Sequence, residues 1–325
     1  MLFILVGWSC SKEDSINGAL GVELLHNFTL VHDDIMDEDD LRHNVATIHK
    51  KWDNAHAVLS GDGLGALGPL FIGKIKKNTL AILIRYNEVI LEICEGQAYD
   101  MEFEKKDFVS VADYLLMSSK KTGSLFELCF EIASLISDKY EKNLNELKKL
   151  GRSLGVIFQI QDDILELETD SENMGKGTFS DIERNKKTIL TCFAMEKNLS
   201  DWKKLIESTN HENVSSKKKS IYNFFEENNL KEESDKLLED YISRCNNIIN
   251  KLVYYFGDIV YENGKLNKCG GEVYLAELTQ KVISSAHIEH HSRIILQKFI
   301  QRRLIQISNE IIEDSFDEIM NAISN

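Results

Sequence analysis

Apolar residues recur at helical spacing along most of this chain, and strictly alternating runs of the kind that strands show are not evident. The pattern predicts helices over residues 17–36, 79–104, 112–136 and 140–167, with Asp113 and Ser137 near the starts of the last two. Apolar residues occupy several faces of these helices, as is typical of buried helices. Long buried helices joined by short loops predict an all-α bundle.

Composition supports the all-α prediction and narrows the function. Pro69 is the only proline in 325 residues, as expected where helix interiors exclude it. The net charge of −15 disfavours nucleic acid as a partner. Six cysteines occur without a CxxC pair, which favours a reducing cytoplasm. No apolar run reaches the ~18 residues of a membrane span. The apolar start, residues 1–10, lacks the basic residues of a signal peptide, and we interpret it as part of a buried helix rather than as a leader.

Two changes in composition suggest domain organisation. A polar, glycine-containing loop is expected near residues 170–187, and the Lys/Glu/Asn-rich stretch 198–236 is typical of a solvated helical face with loops. The Gly270-Gly271 pair separates the main body from a small C-terminal helical segment. The predicted division is therefore 1–256 and 262–325.

Two acidic motifs carry the candidate chemistry. In the first, Asp33 and Asp37 are one helical turn apart, and Asp34 lies beside them. In the second, Asp162, Asp163 and Glu166 repeat that spacing. Each motif follows an apolar helix, where carboxylates repel one another unless a cation offsets their charge. A single motif would fit a solvated face equally well. Two of the same shape favour Mg²⁺ ions that bridge to a diphosphate. Basic candidates for the same ligand lie nearby: Arg42, Lys121 with Thr122, Lys176, and Lys186 with Lys187.

The motifs and their neighbours resemble the trans-polyprenyl diphosphate synthase family, in the family's order, over residues 1–256. The matching stretches are residues 23–37, 41–42 with 47–52, 59–62, 95–104, 121–122, 158–163 and 175–188. The resemblance implies an isoprenoid-synthase-type bundle, a homodimer and a Mg²⁺-dependent condensation of an allylic diphosphate with isopentenyl diphosphate. Terpene cyclases share the first motif, but their second motif differs from the one present here.

The resemblance also implies roles for individual residues. It makes Asp33, Asp37 and Asp162 the metal ligands, with Asp34, Asp163 and Glu166 supporting them as catalytic carboxylates. Its allylic-diphosphate contacts are Arg42, Lys121, Thr122, Gln159, Lys176 and Lys186. His26 and His43 fall on the isopentenyl-diphosphate side. Phe28, followed by the small Thr29, would limit the product to C15–C20, although Phe28 is equally well interpreted as plain core.

Three departures from the family pattern raise an alternative. The upstream Lys/Arg motif of the family is not found, His43 stands where a second arginine is usual, and Glu166 replaces an aspartate. A neutral histidine is a weaker phosphate partner than arginine. The first two departures affect the isopentenyl side. The alternative function is therefore a catalytically impaired remnant, or a regulatory subunit that binds allylic diphosphate.

The C-terminal stretch, residues 262–320, resembles the N-terminal helical domain of a bacterial replicative DNA helicase. No GxxxxGK[ST] phosphate loop occurs in the chain, so the resemblance implies a protein-interaction fragment rather than a motor. Within it, His287, His290 and His291 have a spacing that could suit a metal, but no fourth ligand is evident, and we interpret them as residues of a surface helix.

Overall fold

The structure is a computed structural model that describes residues 12–42, 45–137, 143–168, 186–209 and 214–262. Ten α-helices lie within these ranges: α1 (Lys12–Met36), α2 (Ile48–Lys51), α3 (Asn54–Ile72), α4 (Thr79–Phe103), α5 (Val111–Ser118), α6 (Ser124–Ile136), α7 (Leu144–Glu168), α8 (Ile189–Thr209), α9 (Val214–Glu227) and α10 (Leu230–Glu262). One π-helical turn, Ser119–Gly123, connects α5 to α6. The all-α prediction is confirmed.

The helices predicted from hydrophobic spacing are present, except that the predicted helix 112–136 is divided into α5 and α6 by the π turn. The start of α5 follows local capping chemistry. Ser110 caps α5, because its hydroxyl accepts a hydrogen bond from the backbone of Asp113 while the Asp113 carboxylate accepts from the backbone of Ser110. The sequence placed Asp113 near this start correctly. Helix α7 begins at Leu144, several residues after Ser137.

The pattern did not predict a short ribbon that follows α1. Strands β1 (Leu41–Arg42) and β2 (Val45–Ala46) pair antiparallel, with Leu41 opposite Ala46 and Arg42 opposite Val45. The Thr47 hydroxyl donates to the Asp39 carbonyl at 2.7 Å and closes the base of this ribbon. Two residues per strand are too few to produce a recognisable alternation.

Two apolar clusters form the core. The first joins α1, α3, α4 and α6 around Leu25, Ile72, Tyr86 and Ile132. The second joins α5, α7, α8 and α9 around Tyr114, Ile160, Ile189 and Phe225. The prediction of a solvated face over 198–236 is wrong in part, because Trp202, Ile221, Phe225 and Leu230 are buried in the second cluster. A few apolar residues in a charged stretch are therefore enough to anchor three helices when each helix turns its apolar residues toward the core.

Contacts divide the chain into two units, 1–252 and 253–325. Of the second unit, the structure describes only 253–262, the last turns of α10. The predicted domains 1–256 and 262–325, the helicase-like segment and its histidines therefore stay predictions. Among the described residues, no helix is long and apolar enough to cross a membrane.

Candidate active site

The first acidic motif lies where α1 ends. The Asp37 amide donates to the Asp33 carbonyl at 2.8 Å as the last helical hydrogen bond, and Glu38 then takes a left-handed conformation at φ 54° that stops the helix. Asp34 and Asp37 are each only 6% exposed. The chain therefore holds two buried carboxylates, with Asp33 partly exposed beside them.

Arg42 pairs with the middle carboxylate of the motif. Its Nε donates to Asp34, and its Nη2 lies 3.6 Å from Asp39. Since Arg42 sits in the ribbon that Thr47 closes, the ribbon fixes the guanidinium against the end of α1. The prediction made Arg42 a diphosphate contact. The structure adds that it is paired with Asp34.

Lys121 connects the first motif to α4. Its Nζ lies 2.7 Å from Asp100 and 3.3 Å from Asp33. Although burial opposes the charge, these two carboxylates raise the pKa of Lys121 above its ordinary value, so the ammonium stays charged. Asp100 was not among the predicted site residues. It lies in the stretch 95–104 that carried the resemblance, but only the fold reveals its partner.

The π turn that carries Lys121 and Thr122 is packed closely between two helices. A Cβ on Gly96 of α4 would clash with the backbone of Lys121, and one on Gly155 of α7 would lie 2.5 Å from Gly123 Cα. Glycine at both positions therefore allows backbone to approach backbone. Isolated π turns within helices occur frequently at functional sites.

Lys186 pairs with the last carboxylate of the first motif. Its Nζ donates to Asp37, and both side chains are largely buried, at 11% and 4% exposed. Burial and the neighbouring Asp33 raise the pKa of Asp37, and the attraction of Lys186 and Lys121 does not fully cancel this effect. A negative charge at Asp37 is therefore costly without a further cation.

The second motif is on α7, and its two aspartates differ in burial. Asp162 is exposed, whereas Asp163 is 6% exposed. The Asp163 carboxylate accepts hydrogen bonds from the Tyr114 hydroxyl at 2.7 Å, the Ile189 amide at 3.0 Å and the Gln159 amide group at 3.0 Å. These bonds give Asp163 a structural task, which is to join α5 and the start of α8 to α7.

Gln159 links the second motif to the π turn. Its side-chain carbonyl accepts a hydrogen bond from the Thr122 hydroxyl at 2.9 Å. Thr122 and Gln159, which the resemblance placed on the same substrate, are thus in contact. The side chain of Glu166, and the residues His43 and Lys176, lie outside the described part of the chain.

The remaining predicted residues lie on α1, one to two turns before the motif. His26 is exposed, and the Thr29 hydroxyl donates to the His26 carbonyl at 2.8 Å. The Phe28 ring packs edge-on against the His32 imidazole at 4.7 Å and faces Gly65 of α3, where a Cβ would lie 3.2 Å away. Phe28 is half-buried at the margin of the first apolar cluster.

Within the described ranges, no three side chains of His, Cys, Asp or Glu converge as a ready metal site. The first motif instead offers two carboxylates one turn apart, each beside a lysine. This donor set fits a hard cation that takes only one or two carboxylates and completes its coordination with water and phosphate oxygens.

Comparison with known proteins identifies the family of the chain. The family model for polyprenyl synthetase matches residues 1–225. A short chain isoprenyl diphosphate synthase of Methanocaldococcus jannaschii is 40% identical over 205 residues, which cover 62% of each chain. A geranylgeranyl diphosphate synthase of Sulfolobus acidocaldarius is 38% identical over 200 residues, covering 60% of this chain and 61% of its own. The chain thus spans a little over three fifths of the length of these curated relatives.

Solved structures give the same result for the fold. The crystal structure of geranylgeranyl pyrophosphate synthetase from Pyrococcus horikoshii superposes with a TM-score of 0.71 at 30% identity and covers 77% of each chain. A polyprenyl synthetase from Streptomyces coelicolor superposes with a TM-score of 0.69 at 27% identity, again over 77% of each chain. The chain therefore belongs to the polyprenyl synthetase family.

Proposed function

We propose that this protein is a Mg²⁺-dependent prenyltransferase that condenses an allylic diphosphate with isopentenyl diphosphate to a short, C15–C20, product. The observation that carries the proposal is the pairing in the first motif. Asp33 faces Lys121 and Asp37 faces Lys186, and the two lysines come from distant segments of the chain. Alternating carboxylates and ammonium groups suit a ligand that is itself a polyanion held partly through a metal ion. Two relatives at 40% and 38% identity are named as a short chain isoprenyl diphosphate synthase and a geranylgeranyl diphosphate synthase.

The proposed Mg²⁺ ligands are Asp33 and Asp37, with Asp162 contributed by α7. When bound, the metal would supply Lewis-acid stabilisation of the departing diphosphate. The raised pKa of Asp37 supports the fit, because a nearby divalent cation would lower the cost of ionising that buried carboxylate.

The chain's own residues would bind and orient the allylic diphosphate. Lys121 and Lys186 supply positive charge at the position where the leaving group becomes more negative. Thr122 and Gln159, already joined by a hydrogen bond, would fix polar atoms beside the allylic carbon. The apolar side chains of the bundle would exclude water from the reactive cation. Arg42, Lys176, His26 and His43 complete the proposed substrate contacts.

We propose a homodimer formed through α3 and α4. Large apolar side chains on these two helices are exposed: Val58, Leu59, Leu67 and Leu70 on α3, and Leu80, Ile84 and Leu91 on α4. Several of them are more than 60% exposed. Exposed apolar side chains mark an interaction surface where they are contiguous, and the proposal takes those of the two helices as one such surface.

The cysteine pattern supports a cytoplasmic location, because the four described cysteines are all free.

A direct assay tests the function. The full chain is incubated with Mg²⁺, isopentenyl diphosphate and dimethylallyl, geranyl or farnesyl diphosphate, and products are identified by mass spectrometry. We expect elongated diphosphates, and we expect Asp33→Asn to lower turnover by about 10²-fold or more with helical content unchanged. Asp235→Asn, an exposed aspartate of α10, is the matched control and should retain activity.

The same assay separates the proposal from its alternative. Folded wild-type protein that binds allylic diphosphate with Mg²⁺ but forms no elongated product would contradict the proposed enzyme. That result would support a regulatory or impaired subunit, the alternative that is favoured by a histidine at position 43 where the family usually has arginine. Equal activity of the Asp33 and Asp235 variants would reject the metal assignment.

A further inference from the structure

Two backbone carbonyls of the π turn are paired with side chains. The Ser119 carbonyl accepts a hydrogen bond from Arg152 Nη1 at 3.0 Å, and the Lys120 carbonyl accepts one from the Ser124 hydroxyl. A π turn replaces the regular i to i+4 bonds of a helix by i to i+5 bonds, and a carbonyl at this interruption can accept from a side chain. Arg152 comes from α7, a different helix, and is therefore a tertiary support for this turn.

The Arg152 guanidinium is held in place by two carboxylates. Its Nε donates to Glu127 of α6, and its Nη2 donates to Glu92 of α4 at 2.7 Å. Its stem has little room to move, because a Cβ at Gly123 would lie 3.0 Å from Arg152 Cδ. Three nitrogens thus contact three elements at once, which the planar fork of arginine permits and the single ammonium of lysine does not.

Arg85 provides a natural comparison within the same ion network. Its Nη2 lies 3.1 Å from Glu127 and its Nη1 2.8 Å from Glu92, and it also pairs with Glu131. Both arginines are therefore similarly enclosed and share two acidic partners. The hydrogen bond to the Ser119 carbonyl is given by Arg152.

We propose that Arg152 is a positioning residue, which holds the π turn in the conformation that directs Lys121 and Thr122 into the active site. Arg152 acts on the substrate through Lys121, whose Nζ lies near Asp33 and Asp100. This inference deepens the proposed function and rests on it for the identity of the ligand. A displacement of the turn by about 1 Å is sufficient to weaken catalysis strongly.

The test compares Arg152→Gln with Arg85→Gln in the full chain. Amide hydrogen exchange of residues 119–124 is measured first, because it reports on the turn whether or not the protein is active. We expect faster exchange in Arg152→Gln and wild-type exchange of this segment in Arg85→Gln. Equal exchange in the two variants, or no change in Arg152→Gln, would overturn the proposal.

The second measurement is the dissociation constant of geranyl diphosphate with Mg²⁺, obtained by calorimetry. Arg152→Gln should weaken binding by about tenfold, and Arg85→Gln by less than about threefold. In a Lys121→Met background, Arg152→Gln should have a much smaller further effect than in the wild type, since only Thr122 remains of the two residues that the turn positions. Additive losses in this cycle would show that Arg152 serves general stability and would reject the positioning role.

Two outcomes keep this inference distinct from the proposed function. If the wild type binds geranyl diphosphate but makes no product, the proposed reaction fails, while the exchange and binding comparisons still decide the role of Arg152. If Arg152→Gln does not fold, Arg152→Lys keeps the positive charge beside Glu127 but loses the fork, and the same comparison is made with Arg85→Lys.

Discussion

At the scale of single residues, three basic groups of the candidate site are already paired with carboxylates. Asp34 pairs with Arg42, Asp37 pairs with Lys186, and Lys121 lies between Asp33 and Asp100. A diphosphate with its metal would have to exchange some of these pairs for new ones. The free energy of binding would then be the difference between the ion pairs of the ligand-free site and those of the occupied site. Removing one charged side chain would disturb both sets of pairs.

Phe28 provides a residue-scale prediction about product length. Phe28→Ala would remove the ring that packs against His32 and faces Gly65, opening space one turn before the first motif. We expect the variant to make longer prenyl diphosphates than the wild type, as measured by mass spectrometry of the products. Phe108→Ala changes an exposed ring outside the apolar clusters and should leave the product length unchanged. Identical product distributions in all three proteins would mean that Phe28 is plain core.

The sequence was sufficient to predict which side chains lie together for some residues of the site and not for others. The spacing of Asp33 and Asp37 identified carboxylates that do lie together, since one helix determines their geometry. The hydrogen bonds of Asp163 could not be foreseen, because Tyr114 and Ile189 are distant along the chain and approach it only in the fold. The same reason explains why Asp100 was missed.

At the scale of elements, close helix packing depends on a few glycines. Tyr86 of α4 is fully buried, and its hydroxyl donates to the Gly21 carbonyl of α1 at 3.0 Å while passing beside Gly68 of α3. This phenol of α4 therefore contacts two other helices, α1 and α3. Hydrophobic spacing predicted the helices themselves, but neither the π turn nor the ribbon, which depend on tertiary contacts rather than on periodicity.

Two glycines of α3 give an element-scale prediction with opposite signs. Gly68→Ala would place a methyl group against the Tyr86 hydroxyl and should destabilise the protein by about 1–3 kcal/mol. Gly63→Ala meets no atom within 4 Å and should stabilise the same helix by about 0.5–1 kcal/mol. Urea unfolding followed by circular dichroism measures both changes. A Gly68→Ala variant as stable as the wild type would contradict the described packing of α3 on α4.

At the scale of the whole molecule, the exposed apolar residues of α3 and α4 predict self-association. Leu91→Lys should convert the proposed dimer to a monomer in size-exclusion chromatography with light scattering, because a charge would replace a 70% exposed leucine within that surface. Leu116→Lys, at an exposed leucine of α5, should leave the dimer intact. A wild-type protein that is monomeric at micromolar concentration would rule out this surface as a dimer interface.

The ion network and the site also predict how stability depends on pH. Although burial alone would raise it, hydrogen bonds from Arg85 and Arg152 lower the pKa of Glu92 below the ordinary 4.5. A lowered carboxyl pKa stabilises the fold above the unfolded pKa, and this contribution is lost as the pH falls through the folded value. Glu92→Gln should therefore be less stable than the wild type at neutral pH, and the difference should shrink below about pH 4.5.

Glu104 is the matched control because its pKa is shifted in the opposite direction to that of Glu92. Burial and the nearby Asp100 raise the pKa of Glu104, so its contribution is present at low pH and lost as the pH rises through the folded value. Glu104→Gln should thus gain stability relative to the wild type at neutral pH. Parallel stability curves for the two variants, measured by thermal unfolding from pH 3 to 7, would contradict both assignments.

The shared network of Arg85, Arg152, Glu92 and Glu127 has a consequence for heat. The hydration of charged groups becomes less favourable as temperature rises, so the cost of removing these ions from water decreases on warming. Their mutual attraction is thereby opposed less at high temperature than at low temperature. The segment between α4 and α7, which carries the π turn, should be among the last parts of the bundle to lose its order when the protein is warmed.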